Sequence, residues 1–202
     1  MIFNTAVLKR MMKAAYMGAG LLVANNQGNI IIGGTYWKVE IDEYYFPKKA
    51  KAALVELIGQ LPQQGESFRC TSSGNQVELP GEDIFEVADN MNWKDTYEKV
   101  NILIDVPMGN IRPYQKKEET IYLNEIFDSL LDGTVEVGED DRLQGPCKRE
   151  AKEHRVFFAT ESCVLEAWEI VFNPDTERLS EYNKTMDQIE LMLVHKENAQ
   201  TV

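Results

Sequence analysis

Leu21-Leu22-Val23-Ala24-Asn25-Asn26-Gln27-Gly28-Asn29-Ile30-Ile31-Ile32 is the stretch that decides the fold. Two short β-prone runs flank a turn of Asn, Gln and Gly, residue types that suit a tight reversal. The pattern predicts an antiparallel hairpin. Gly33-Gly34 breaks or bulges it, and Tyr36 to Ile41 then alternates: Tyr36, Lys38 and Glu40 on one side, Trp37, Val39 and Ile41 on the other. A period of two is a strand period, so a third strand follows in hairpin order.

Working outward, each side of this unit carries a helix. Towards the N-terminus, Asn4 or Thr5 can accept from the free N–H groups of a first turn. Val7, Leu8, Met11, Met12 and Ala15 recur at helical spacing over 6–17, with Lys9, Arg10 and Lys13 on the opposite face. Gly18 and Gly20 can end that helix. Towards the C-terminus, Pro47 opens a second helix, where its missing N–H costs nothing. Leu54, Leu57, Ile58 and Leu61 form its stripe, and Lys48, Lys49 and Lys51 crowd its N-terminal end. Gly59 weakens it and Pro62 stops it.

Beyond residue 62 the pattern predicts a hairpin over 68–79 turning at Ser72-Ser73-Gly74-Asn75, an irregular connection over 80–99, and a strand over 100–106. Pro107, Gly109 and Pro113 mark 108–117 as a loop and a candidate boundary. Thr120 to Leu131 reads as an amphipathic helix, with Leu123, Ile126, Phe127, Leu130 and Leu131 on one face and Asn124, Glu125, Asp128 and Ser129 on the other. A strand over 134–137, a polar loop over 139–152 holding Gly145-Pro146, strands over 155–159 and 165–172 and a terminal helix over 183–195 complete the reading. Strands outnumber helices and come in hairpin runs. The expected class is α+β, with largely antiparallel sheets and amphipathic helices. The expected organisation is an N-terminal half, 1–106, and a C-terminal half, 107–202, which can also form one continuous domain.

At 202 residues and 44% hydrophobic, the chain can bury a core without staples. No run approaches the ~20 apolar residues that cross a bilayer. Lys9, Arg10 and Lys13 interrupt the apolar stretch that a secretory leader needs. Cys70, Cys147 and Cys163 are odd in number and widely spaced, which suits a reducing compartment. The expectation is a cytoplasmic protein with no membrane partner.

The net charge of −12 is unevenly held. Residues 1–62 carry seven Lys/Arg against four Asp/Glu, a balance of +3; residues 63–202 carry fourteen against twenty-nine, a balance of −15. An acidic molecule repels nucleic acid unless a local basic surface overrides the field. Contact with DNA therefore has to run through Lys9, Arg10 and Lys13, joined by Lys48, Lys49 and Lys51 if the two helices lie side by side. Such charges hold phosphates by counterion release, without reading sequence.

Signatures of chemistry are scarce. The chain has no Gly-rich phosphate loop ending in Lys-Ser/Thr, no dinucleotide spacing among Gly28, Gly33 and Gly34, and no Gly-x-Ser-x-Gly elbow. Cys147 and His154 fall short of a zinc ligand set. Glu139-Asp140-Asp141 lacks the alternation of a calcium loop. A Cys163 nucleophile with His154 as its base is the one catalytic pairing to consider. No cofactor and no metal are expected.

The segment 120–172 resembles the closing part of a DNA sliding-clamp domain, the polymerase processivity factor. The residues that carry the resemblance are Ile121-Tyr122-Leu123-Asn124-Glu125-Ile126-Phe127, then Val135-Glu136-Val137, then the turn Asp141-Arg142-Leu143-Gln144-Gly145-Pro146. Val156-Phe157-Phe158 and Glu166-Ala167-Trp168-Glu169-Ile170 stand where that family closes its sheet. The opening Ile2-Phe3-Asn4, followed by a basic helix ending in Gly, is similar to the start of such a domain, whose helices face DNA. The resemblance implies a clamp-like fold and association with DNA or the replication machinery. The balance of −15 beyond residue 62 points to an alternative, a small phage or mobile-element inhibitor or adaptor that binds a nucleic-acid enzyme. An enzyme with a cysteine nucleophile is the third reading, and self-association stays open.

Overall fold

The computed structural model describes residues 3–74, 76–78, 88–106, 109–117, 119–131, 142–149 and 154–171. The fold is α+β with two antiparallel sheets, as the hairpin order implies. Contacts group the chain into two compact units, one from Met1–Thr96 with Ile126–Trp168, the other from Tyr97–Glu125 with Glu169–Val202.

Among the described residues, the first unit is built on an eight-stranded sheet. Its strands are β1 (Leu21–Asn26), β2 (Asn29–Gly33), β3 (Trp37–Asp42), β4 (Ser67–Cys70), β5 (Gln76–Glu78), β10 (Gln144–Lys148), β11 (Arg155–Ala159) and β12 (Cys163–Trp168). Their order is β10-β11-β12-β3-β2-β1-β4-β5, every neighbour antiparallel. The β1–β2 turn places Gln27 at φ 51° and Gly28 at φ 90°, the two positive angles of a reversal that matches strand twist. Gly34 follows β2 where a Cβ would run into the Trp37 indole, so the Gly pair is a close-packing device.

Register assigns the faces. Ile32 pairs with both Val23 and Val39, and Val39 pairs with Leu165, which puts these four side chains on one face of the sheet. Leu22, Ala24 and Ile31 cluster on the other. That second face also carries Glu40 and Glu166, both fully buried. A buried carboxylate needs donors. Asn29 Nδ2 donates to Glu40 Oε1 at 3.3 Å, and Arg155 lies 2.8 Å from Glu166.

The helices α1 (Thr5–Met17), α2 (Lys48–Ile58) and α3 (Ile126–Leu130) accompany this sheet. Asn4 Oδ1 accepts from the N–H groups of Ala6 and Val7 and so starts α1. Gly18 ends it, its N–H donating to the carbonyls of Ala14 and Ala15. Val7, Leu8, Met11 and Met12 are its buried face. α1 lies alongside α2 and meets β1, β2 and α3. Asn4 N–H donates to the Leu130 carbonyl at 2.7 Å, tying α3 to the start of the chain.

The second unit holds a smaller sheet of β6 (Glu98–Lys99), β7 (Ile104–Val106), β8 (Gly109–Lys116) and β9 (Glu119–Asn124). β9 runs along one edge of β8, while β6 and β7 take successive parts of its other edge. Ile104, Val106, Ile111 and Tyr122 form the core, with Ile102 and Ile170 against them.

α2 ends at Gly59, before Pro62, and four further elements differ more from expectation. The 108–117 loop is the long strand β8. Pro113 fits there because its carbonyl accepts from Val100 N–H, outside the β6 and β7 ladders. A strand residue aims its N–H and C=O at the same edge, so the N–H that proline lacks falls in the gap between those ladders. The helix over 120–131 divides into β9 and the short α3. Thr120, Ile121 and Tyr122 are β-branched or aromatic, and they pair with β8. The strand over 100–106 is interrupted: Arg112 Nη1 donates to the carbonyls of Val100 and Ile102, taking them out of the ladder. Within the 139–152 loop lies β10, an edge strand with a register shift between Gln144 and Cys147, the sheet position that tolerates Pro146. The expected strand over 134–137, the Glu139-Asp140-Asp141 run and the terminal helix over 183–195 lie outside the described residues.

Candidate nucleic-acid interface

α1 has one buried face, and its cations lie off that face. With Val7, Leu8, Met11 and Met12 inward, Arg10 and Lys13 are exposed and Lys9 is half-buried. In α2, Ala50 and Leu54 turn inward, leaving Lys48 and Lys49 exposed and Lys51 half-exposed. Because α1 packs alongside α2, all six cations belong to one two-helix layer. Lys51 differs from the rest, since its Nζ stands 2.8 Å from Glu43 Oε1.

The start of α2 is electrostatically unusual. Its first turn carries no acidic residue, and Pro47 supplies no side-chain cap. Lys48 and Lys49 therefore sit at the positive end of the helix dipole, an arrangement that an approaching anion relieves.

Sequence reading passed over the residues just before that turn. In the β3–α2 connection, Tyr44 N–H donates to Asp42 Oδ1 at 2.8 Å and Tyr45 N–H to the Asp42 carbonyl at 2.9 Å. Glu43 N–H donates to the Gly28 carbonyl, and Phe46 is buried. With Phe46 taking the core position, the two tyrosines point outward: Tyr44 is 86% exposed and Tyr45 51%. Their rings form an edge-on pair with centroids 5.1 Å apart and an interplanar angle of 84°. The available signal was three adjacent aromatics in one short connection, which cannot all reach a core.

The catalytic pairing does not form. Cys163 begins β12 and His154 precedes β11, at opposite ends of the β11–β12 hairpin, because Arg155 pairs with Trp168 and Ala159 with Val164. Five residues of strand separate the two ends, roughly 17 Å. Cys163 Sγ is buried, 3.2 Å from Thr160 Oγ1, while His154 is exposed. Cys147 is buried in β10. Burial pushes the Cys70 thiol above its ordinary pKa, against a smaller opposing backbone hydrogen bond. Among the described residues no three His, Cys, Asp or Glu side chains gather as a metal site, and no helix is long and apolar enough to cross a membrane.

No family model matches the sequence, and no curated protein matches it. Among solved structures the chain is weakly similar to the crystal structure of a DNA polymerase III subunit beta sliding clamp from Bartonella birtlesii LL-WM9. The identity is 10% and the TM-score 0.29, over 88% of this chain and 66% of that one. The chain thus spans just under two thirds of the clamp chain.

Proposed function

We propose that this chain is a non-catalytic, cytoplasmic binding protein that associates with DNA, in the manner of a clamp-like component of replication machinery. The carrying observation is the α1–α2 layer, which displays Arg10, Lys13, Lys48 and Lys49, with Lys9 and Lys51 half-buried. A molecule of net charge −12 repels phosphate unless a local basic surface overrides the field. A cationic layer gives DNA a single direction of approach and fixes the orientation of the complex. Contacts of this kind are insensitive to sequence and weaken steeply with salt.

The test is binding to a short labelled duplex in low salt. The intact protein is expected to bind, and Lys9→Glu/Arg10→Glu/Lys13→Glu is expected not to. An intact protein that ignores DNA in low salt ends the proposal.

A second reading draws on the balance of −15 beyond residue 62. A charge balance of that size steers encounters with basic proteins. On that reading the chain is an inhibitor or adaptor, of phage or mobile-element type, seated on a nucleic-acid enzyme. Affinity capture that returns no basic, nucleic-acid-handling partner removes its support.

A further inference from the structure

We infer that Tyr44 and Tyr45, with Lys48 and Lys49, form a stacking site for single-stranded nucleic acid. This rests on the DNA reading above, deepens it to a substrate class, and adds two residues outside the cationic layer.

The first support is exposure. A tyrosine usually buries most of its ring, and an adjacent pair that does not is a surface available to a π-partner. Tyr44 and Tyr45 are the first and second residues after Glu43 in a connection held at both ends. Asp42 N–H donates to the Ser162 carbonyl, Glu43 N–H donates to the Gly28 carbonyl, and Phe46 is anchored in the core. The Asp42 side chain closes the turn on Tyr44 N–H. The rings are thus presented on a fixed backbone, which limits the ordering cost of binding.

The second support is charge. Two acids lie beside the rings, Asp42 and Glu43. Glu43 is paired with Lys51 at 2.8 Å, and Asp42 is engaged by the Tyr44 backbone. Lys48 and Lys49, both exposed, follow within five residues of Tyr44 at an uncapped helix start with no acid in its first turn. Aromatic faces beside cations match a strand whose bases are unpaired and whose backbone is a line of phosphates. A duplex keeps its bases stacked on each other and offers the rings only its edges and backbone. An anionic protein surface satisfies the lysines but leaves the rings without a stacking partner.

Geometry orders the two rings. At 84° to each other, they cannot both lie parallel to one stack of bases. Tyr44, the more exposed, is the stacking ring, and Tyr45 braces it edge-on.

The test measures anisotropy of three labelled probes in low salt: an oligothymidine, the same length of abasic strand, and a duplex. Intact protein is compared with Tyr44→Ala, Tyr45→Ala, Tyr44→Phe and Lys48→Ala/Lys49→Ala. Tyr44→Ala is expected to weaken oligothymidine binding about tenfold, the loss of one stacked base, while duplex binding changes less than about twofold. Tyr45→Ala is expected to lose less, Tyr44→Phe to retain binding, and Lys48→Ala/Lys49→Ala to weaken every probe. The abasic strand is expected to bind intact protein about as weakly as oligothymidine binds Tyr44→Ala. Equal affinity of intact protein for the abasic strand and oligothymidine overturns the stacking site while leaving the phosphate contacts standing. Binding of no probe by intact protein overturns the DNA reading and the stacking site together.

Discussion

Arg155 Nη1 donates to Glu166 Oε1 at 2.8 Å, and the Arg155 guanidinium lies 5.0 Å from the centre of the Trp168 ring. The Glu166 side chain is wholly buried and that of Arg155 is 26% exposed. Register explains the meeting: Arg155 pairs directly with Trp168 across β11–β12, so Glu166, two residues earlier, is its diagonal neighbour on the same face. Arg155→Met deprives a buried carboxylate of one cationic donor and leaves its desolvation in place. The expected loss is about 2 kcal/mol, below the usual range for a broken buried pair because water already reaches the arginine. Urea unfolding measures it, and a loss under about 0.5 kcal/mol contradicts a structural role for this pair.

Gly145 and Gly28 both have positive φ, 102° and 90°, but different surroundings. A Cβ on Gly145 would run into the Phe157 carbonyl of the neighbouring strand; one on Gly28 meets nothing within 4 Å. Gly28→Ala is expected to cost about 1 kcal/mol, for conformation alone. Gly145→Ala adds displacement of β10 from β11 and is expected to cost about 3 kcal/mol. Equal losses in thermal unfolding contradict the close approach of those strands.

Asn4 opens the helix that carries Lys9, Arg10 and Lys13. Its side chain accepts from two first-turn N–H groups that have no partner within the helix. Asn4→Ala is expected to lower stability by about 1 kcal/mol, with Asn4→Asp close to the parent protein. Denaturant midpoints at constant slope decide this, and an unchanged midpoint for Asn4→Ala contradicts the cap.

Burial raises the pKa of the Cys70 thiol, so its thiolate is scarcer at pH 8 than that of an exposed cysteine. Cys147 and Cys163 are buried as well. A thiol-reactive dye is expected to label native protein slowly, and all three cysteines promptly after unfolding. Rapid native labelling of Cys70 contradicts its placement opposite Leu21 in the sheet.

Elements with one repeated period were read correctly from the residues, as was the β1–β2 hairpin from its turn. The alternation of Trp37, Val39 and Ile41 marked β3, and the spacing of Val7, Leu8, Met11 and Met12 marked α1. Misreadings arose where local chemistry and pairing disagree. Gly109 and Pro113 look like loop punctuation, yet β8 uses the proline at a gap between two partners. Ile121, Tyr122 and Leu123 are all buried, and a short apolar run buried on both sides suits either period; pairing with β8 decided for strand.

The placement of the cations on their helices was legible to the same degree. Helical spacing put Lys9, Arg10 and Lys13 opposite the apolar stripe, because periodicity alone fixes that. The Lys51–Glu43 pair was not legible, since it spans a loop and a helix start. Nor were Tyr44 and Tyr45, because nothing local says which of three adjacent aromatics takes the core position that Phe46 fills.

The most direct measurement is the salt dependence of duplex binding, for intact protein and for Lys9→Gln/Arg10→Gln/Lys13→Gln. If the α1–α2 layer holds the phosphates, log affinity falls with log salt at a slope of about −4 to −5, and neutralising three cations makes it shallower by about three. Binding that is indifferent to salt, or a slope that survives the triple substitution, contradicts DNA contact through these helices.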